Sequence, residues 1–259
     1  MTIPCLHLFE VEDSPLLPSL IRDMMTEYLH WVMDMSGPYD PAAARIAALL
    51  QASGTNRVVD LASGGAGPWP RLLPRVTVAL GAAPQVTLTD LHPNVGAFSR
   101  VEQETRGAIR GYSQSVDATS VPPALTGVRT MFTGLHHLAP GQVRALMRDA
   151  AAQRQPLVAF ELTQRTPFGV LLMFASLLLV LGSAPFIKPF RLERLLLTYL
   201  VPILPLFIVW DGVVSALRSY TLDELRGFAV EMATAGYEWE AGERAGGMMP
   251  VTFLVGRPV

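Results

Sequence analysis

The chain has 259 residues, half of them hydrophobic, with 16% charged and a formal net charge of −2. That length accommodates one large α/β domain or a domain with a sizeable insertion; the composition is too apolar for disorder and carries no basic field for nucleic acid. A single cysteine, Cys5, excludes an internal disulfide and a cysteine-rich zinc site, so no metal is expected, and the acidic start (Glu10, Glu12, Asp13) lacks the basic n-region of a signal peptide, which points to the cytoplasm. Residues 15 to 35 are predicted as a helix, because Leu16, Leu17, Leu20, Ile21, Met24, Met25, Tyr28, Leu29 and Val32 recur at helical spacing. Ser14 would cap it, with Pro15 at the first position. After a linker, SGPYDP, a second helix runs from Ala42 to Gln51 and ends near Gly54. Residues 1–54 are thus expected to form an N-terminal helical cap, and residues 55–163 the first part of an α/β core.

Residues 57 to 67 read RVVDLASGGAG. Val58 and Val59 open an apolar run suited to a buried parallel strand, and Asp60 stands where that strand should end. Ala62, Ser63, Gly64, Gly65, Ala66 and Gly67 follow, all small, so backbone can approach a ligand closely. Pro68 suits the first position of a helix, here Trp69 to Leu80. Strand, tight turn and helix make the opening unit of a nucleotide-binding sheet. The G-x-G-x-x-G spacing of a dinucleotide site is not present, because Pro68 and Trp69 fall within it.

The stretch QVTLTD, residues 85 to 90, alternates as a strand ending in an acid. A carboxylate there, beyond the glycine turn, can accept both ribose hydroxyls of a nucleoside, with Leu91 on the adenine. Asn94 opens the next helix as a cap. Residues 109 to 117 form a third strand and its turn, ending in Asp117, and residues 128 to 134 a fourth, leading into His136 and His137. A helix over 142–152 and a fifth strand over 156–162, carrying Glu161, complete five βα units. At the far end, Thr221 and Glu224 mark a capping box for a helix to Ala235, closed by Gly236. Tyr237–Glu240 and Val251–Val255 then alternate as two strands within the closing core segment, 220–259.

Residues 164–219 interrupt this plan as an apolar helical insertion. Phe168 to Ile187 is uncharged and, as one helix of 20 residues, would be about 30 Å long. Leu195 to Trp210 is also uncharged but carries Pro202 and Pro205, and Lys188, Arg191 and Arg194 lie between the two stretches. A spanning hairpin would put those cations outside, against the positive-inside tendency. A monotopic insertion would keep them near anionic headgroups. A soluble lid would fold the apolar faces over the substrate or against a second subunit. The membrane-contacting reading through residues 168–210 ranks first.

The 57–67 stretch resembles motif I of the class I S-adenosylmethionine (SAM) dependent methyltransferases, with Asp60 as the acid, Gly64 as the central glycine, and alanines at 62 and 66 where glycine is commoner. The resemblance covers roughly residues 40 to 162 and 220 to 257. It implies a Rossmann-like α/β fold with a mostly parallel seven-stranded sheet, the last strand inserted antiparallel, and helices on both faces. It also implies SAM as cofactor, held by Asp60, Ala62, Ser63, Gly64, Gly65, Asp90, Leu91, Asp117 and Ala118; in that family the acid at 117 would accept the adenine amine and the Ala118 backbone would pair with a ring nitrogen. A turn is the ordinary setting for such an Asp. The two N-terminal helices match a substrate lid or a cover for one sheet edge, and Tyr39 stands where a tyrosine can reach the cofactor.

Methyl transfer needs in-line positioning, and a base where the acceptor is a hydroxyl, thiol or cationic amine. His136 or His137 fits that role, with Glu161 as a second candidate. The expected function is SAM-dependent methylation of a small apolar or lipid-like acceptor near a membrane surface, by a chain that also suits a homodimer. A catalytically inactive SAM-fold scaffold is the alternative, against which the pairing of Asp60 with Asp90 speaks. An NAD-dependent oxidoreductase is a more distant third.

Overall fold

A computed structural model describes residues 3–14, 16–246 and 249–259. Two compact units form: residues up to Met35 with Thr163–Tyr220, and Ser36–Leu162 with Thr221–Val259. The first boundary falls inside the expected 1–54 cap, so the two N-terminal helices belong to different units.

The larger unit is built on seven strands, β1 (Arg57–Leu61), β2 (Gln85–Leu88), β3 (Ile109–Gly111), β4 (Val128–Phe132), β5 (Leu157–Glu161), β6 (Tyr237–Gly246) and β7 (Met249–Pro258). Their order is β3-β2-β1-β4-β5-β7-β6. The first five are mutually parallel, while β7 runs antiparallel to both β5 and β6. This is the mostly parallel seven-stranded sheet expected from the sequence. Every residue of β4 and β5 is buried, so β5 reads as an apolar run up to Glu161, while β4 carries Arg129 and Thr130 on buried positions.

The helices are α1 (Ser19–Ser36), α2 (Ala42–Ala52), α3 (Trp69–Leu80), α4 (Val95–Glu104), α5 (Pro140–Ala152), α6 (Pro167–Ser183), α7 (Leu192–Leu195), α8 (Ile203–Arg218) and α9 (Leu222–Glu231). Local capping sets several of their ends. Asn94 Oδ1 accepts the Ala97 amide hydrogen at 3.0 Å, and Thr221 and Glu224 form the expected capping box. Gln142 reaches back to the Ala139 amide at 2.9 Å, so α5 begins at Pro140, two residues before the expected start. Helix α1 starts at Ser19, later than expected, and Pro15, the expected first position, lies outside the described residues. The Ser14 hydroxyl is taken by the Leu16 amide within a turn, and the Pro18 carbonyl accepts the first amide hydrogens of the helix, from Ile21 and Arg22. The closing hairpin is longer than predicted, pairing from Tyr237 with Pro258 to Gly246 with Met249.

The smaller unit packs α1 with α6, α7 and α8. Met24, Met25 and Tyr28 of α1 share a buried cluster with Val180, Ile187, Leu204 and Ile208. The N-terminal segment is bound along α8. Asp211 accepts the amide hydrogens of Val11 and Glu12 at 2.6 and 2.9 Å, and the Trp210 indole donates to the Phe9 carbonyl. The apolar run 168–187 does not make one long helix, since α6 stops at Ser183 after 17 residues. Residues 196–200 form a π turn, and Pro202, which has no amide hydrogen, follows it. Among the described residues no single helix is long and apolar enough to cross a membrane; only Leu192–Leu200 and Ile203–Arg218 taken together have that length and composition, and they meet at 80°.

The structure corrects the reading of the intervening cations as a headgroup-facing set. Arg194 is buried, donates to Glu27 of α1, and also donates to the Ile187 carbonyl at 2.7 Å. Arg191 binds the same carboxylate at 2.9 Å. Of the three cations, Lys188 alone is exposed.

Candidate active site

The site is assembled in the larger unit, at the C-terminal ends of β1, β2, β4 and β5. Asp60, in the last turn of β1, is buried beneath the glycine turn. Its Oδ1 accepts from the Thr130 hydroxyl of β4 at 2.6 Å and its Oδ2 from the Ser63 hydroxyl at 2.7 Å. Ser63 is tied further, its amide donating to the Thr89 carbonyl at 2.9 Å, while the Thr89 hydroxyl donates to the Asp60 carbonyl at 2.7 Å. Burial pushes the Asp60 carboxyl up to about 7, against the hydrogen bonds from Thr130 and Ser63 and with the help of the nearby Asp90 charge. Asp60 therefore shapes the turn from below.

The turn itself carries the strain that small residues tolerate. Ala62, Ala66, Gly64 and Gly67 all have positive φ, at 52°, 110°, 54° and 52°. Ala62 and Gly64 face solvent, and a Cβ added at Gly64 would meet nothing within 4 Å. Gly65 is buried. Above the turn, Asp90 is half-buried just beyond β2. Its Oδ2 accepts the Gly64 amide hydrogen at 2.8 Å and its Oδ1 that of His92 at 2.8 Å. Leu91 is exposed beside it. The chain after β3 lies along the same edge, with the Val116 amide on the Asp90 carbonyl and the Ser115 hydroxyl on the Leu91 carbonyl. Asp117 is exposed at the end of this run and its Oδ1 accepts from both the amide and the hydroxyl of Thr119, at 2.8 and 2.7 Å; Ala118 is half-buried next to it. The turn setting foreseen for Asp117 is thus present, with Val116 just before it bonded to the Asp90 carbonyl.

A second group gathers after β4. Glu161, the last residue of β5, accepts the Leu135 amide hydrogen at 2.6 Å through Oε1, and its Oε2 lies 2.8 Å from His136 Nδ1. Both side chains are buried. His137 is half-buried, with its ring 4.3 Å from that of His136. The two histidines sit on a single 3-10 turn, so adjacent residues place their rings side by side. The three sequence candidates for acid–base work thus form one group, in which the carboxylate orients the imidazole of His136.

Tyr39, from the loop before α2, is also buried here. Its hydroxyl hydrogen-bonds the Thr133 hydroxyl, and its ring meets Phe132 edge-on at 5.0 Å. Burial, and then the Glu161 charge, hold its phenol well above the ordinary value, so it stays neutral. Thr130 and Thr133 escaped the sequence reading. Their signal was a polar residue within or just after a wholly buried strand, a position that demands a hydrogen-bond partner.

The donor set suits an adenosyl ligand. Small positive-φ residues form an open rim, a carboxylate stands at the end of β2, and an acid-bearing loop lies next to it. No protein-family model and no curated protein matches the sequence. Solved structures do match in fold. The plantazolicin methyltransferase BpumL, solved with a monoazolic desmethylPZN analog and S-adenosylhomocysteine (SAH), is 10% identical, with 93% of this chain and 98% of that one aligned at a TM-score of 0.52. The O-methyltransferase NcsB1 from neocarzinostatin biosynthesis, solved with SAM and 2-hydroxy-5-methyl naphthoic acid, is 17% identical at a TM-score of 0.50. There 93% of this chain aligns but spans only 57% of the other. The chain thus has the Rossmann-like α/β fold of the class I SAM-dependent methyltransferases.

Proposed function

We propose that this protein is a SAM-dependent methyltransferase acting on a small apolar or lipid-like acceptor. The observation that carries this is the Asp90 carboxylate at the end of β2, fastened by the Gly64 amide at 2.8 Å beside an open rim of small residues. Asp90 would accept the ribose hydroxyls, with Leu91 against the adenine and the Asp117–Ala118 segment at its edge. Ala62, Ser63, Gly64 and Gly65 would line the turn around the ligand, and Asp60 would hold that turn in shape. When bound, SAM supplies an electrophilic methyl group on a sulfonium.

The chain's own part in catalysis would be positioning and proton removal. His136, oriented through Nδ1 by Glu161, would take the acceptor proton at Nε2, and the Glu161 charge would stabilise the resulting imidazolium. Neutral Tyr39 and Thr133 would keep the neighbourhood of that carboxylate fixed. The apolar character of the acceptor is suggested by the second unit, whose chain leaves the sheet directly after β5, the strand that carries Glu161, and which is rich in exposed leucine and phenylalanine.

Titration calorimetry with SAH tests the reading. Saturable one-to-one binding, weakened in Asp90→Ala, is expected. Absence of any heat in the folded wild type would overturn it.

A further inference from the structure

We infer that the smaller unit is a monotopic lipid anchor, which buries one apolar end in a single bilayer leaflet. The partner is the hydrocarbon of the membrane, not its headgroup charge. This rests on the fold of that unit alone and adds a binding surface to the proposed methyltransferase.

Helix α6 is apolar on every side. Between Pro167 and Ser183 it has no charged residue, and its buried positions are Gly169, Val180 and Ser183. Phe168, Leu171, Phe174, Leu177, Leu178 and Leu179 are all exposed, and they do not fall on one helical stripe. A helix facing one protein core shows an apolar stripe and a polar back; one apolar all round belongs in a lipid-like surrounding or a core. The connecting segments repeat the pattern. Ile187, Leu204 and Ile208 point into the buried cluster with α1, whereas Phe186, Phe190, Leu192, Leu200 and Leu206 lie outside it and are exposed. The Tyr199 hydroxyl donates to the Leu181 carbonyl, which joins the π turn to α6.

Charge is segregated from that end. The polar anchors of α8 lie in its second half, where Trp210, Asp211, Ser215 and Arg218 hold the N-terminal segment. Arg191 and Arg194 both pair with Glu27, which offsets one of their two charges. Lys188 and Glu193, both exposed, flank Phe190 and Leu192 in the chain, and in the inferred mode they would lie among the headgroups. A protein partner would call for a polar rim and a hydrogen-bonding pattern around an apolar centre, which the uncharged α6 does not supply. Dimension fixes the mode. Seventeen residues give about 25 Å of helix, shorter than the roughly 30 Å hydrocarbon core, and the 80° bend after the π turn turns the chain back. Entry into one leaflet fits both facts.

Flotation on a density gradient tests this with the full-length protein. The probes are vesicles of phosphatidylcholine alone and of phosphatidylcholine mixed with phosphatidylglycerol. The wild type is expected to float with both, and to stay bound at high salt. Leu178→Ser with Leu200→Ser, at positions 75% and 74% exposed, should keep the melting temperature and lose vesicle affinity by at least roughly tenfold. Val78→Ser, an equally exposed apolar position in the larger unit, should float as the wild type does. Three results would overturn the inference: a wild type that ignores vesicles and runs as a stable dimer in light scattering, flotation only with anionic vesicles and only at low salt, or a double variant that floats unchanged. SAH calorimetry on the same samples keeps the two readings apart. Flotation without SAH binding sinks the methyltransferase and leaves the anchor, and the reverse result does the opposite.

Discussion

The Asp90 carboxylate accepts the Gly64 amide hydrogen at 2.8 Å, so the residue proposed to hold the ribose also pins the glycine turn. Its second oxygen takes the His92 amide, which leaves each oxygen with further lone-pair capacity for hydroxyl donors. Asp90→Ala removes both functions. SAH affinity is expected to fall by about 1–3 kcal/mol, or roughly five- to 150-fold. Asp90→Asn, which keeps one acceptor oxygen for Gly64, should lose less. Calorimetry on the two variants checks the order, and equal affinities for wild type and Asp90→Ala would move the ribose elsewhere.

Asp60 gives the fold a pH dependence of known sign. Its carboxyl is held at about 7 in the folded chain, well above an unfolded Asp near 4. Between those values the native state binds the proton and the unfolded state does not. Asp60 therefore contributes its stability below the unfolded value, and that contribution is lost as pH rises through about 7. Above the folded value both states are ionised and the loss is complete. Asp60→Asn cannot ionise. Its stability relative to wild type should rise between about pH 4 and 7 and level off above that. Urea titrations at several pH values measure the difference, and a constant difference across that range would show that the carboxyl is ionised throughout.

The parallel strands were legible because β1 and β5 hold short apolar runs and β2 alternates, and the small-residue turn after β1 is a local feature; the antiparallel last strand came with the family resemblance. The caps at Asn94 and Thr221 were legible for the same reason: both partners lie within three residues. What escaped was non-local. Thr130 meets Asp60 across 70 positions and Tyr39 meets Thr133 across 94. The misread cations make the point most directly. Arg191 and Arg194 looked like a headgroup-facing loop because their counter-ion, Glu27, is 164 and 167 residues away. Sequence periodicity gave no sign that α1 and the insertion share a unit. Nor did composition show that the apolar run would stop at Ser183.

The Glu161–His136 contact makes separate predictions for the two histidines. His136→Gln should lower turnover by roughly 10²–10⁴ if its imidazole takes the acceptor proton, with SAH affinity nearly unchanged. Glu161→Gln keeps an acceptor for the Leu135 amide, yet no longer holds the His136 ring through a carboxylate, so turnover should fall while SAH affinity stays nearly unchanged. Glu161 holds the His136 ring through Nδ1, so His137→Gln should have the smaller effect. SAH release in the presence of a cellular lipid extract supplies the rate. If both histidine variants turn over like wild type, transfer here proceeds by positioning alone.

Glu27 holds two guanidinium groups, and one of them is buried. The side chains of Arg194 and Glu27 are 1% and 9% exposed, and Arg191, at 25%, completes the cluster. Two positive charges in that setting are tolerable only with the carboxylate between them, since breaking one partner of a buried pair costs about 3–5 kcal/mol. Glu27→Gln preserves size and one acceptor, but it leaves Arg194 uncompensated beside the Ile187 and Pro189 carbonyls. The variant should lose most of the stability of the smaller unit, read as early hydrogen exchange in α1 and α6–α8, while amides of β1, β4 and β5 stay protected. Arg194→Glu should do the same, because it sets two carboxylates against one guanidinium in a buried site. Charge reversal at 194 would therefore unfold the unit before it tested any membrane, and the exposed leucines are the sound positions for that experiment. Lys188→Glu, by contrast, changes an exposed charge and should leave exchange unaltered. Equal protection of α1 in Glu27→Gln and wild type would show that the cluster is incidental to the packing of the unit.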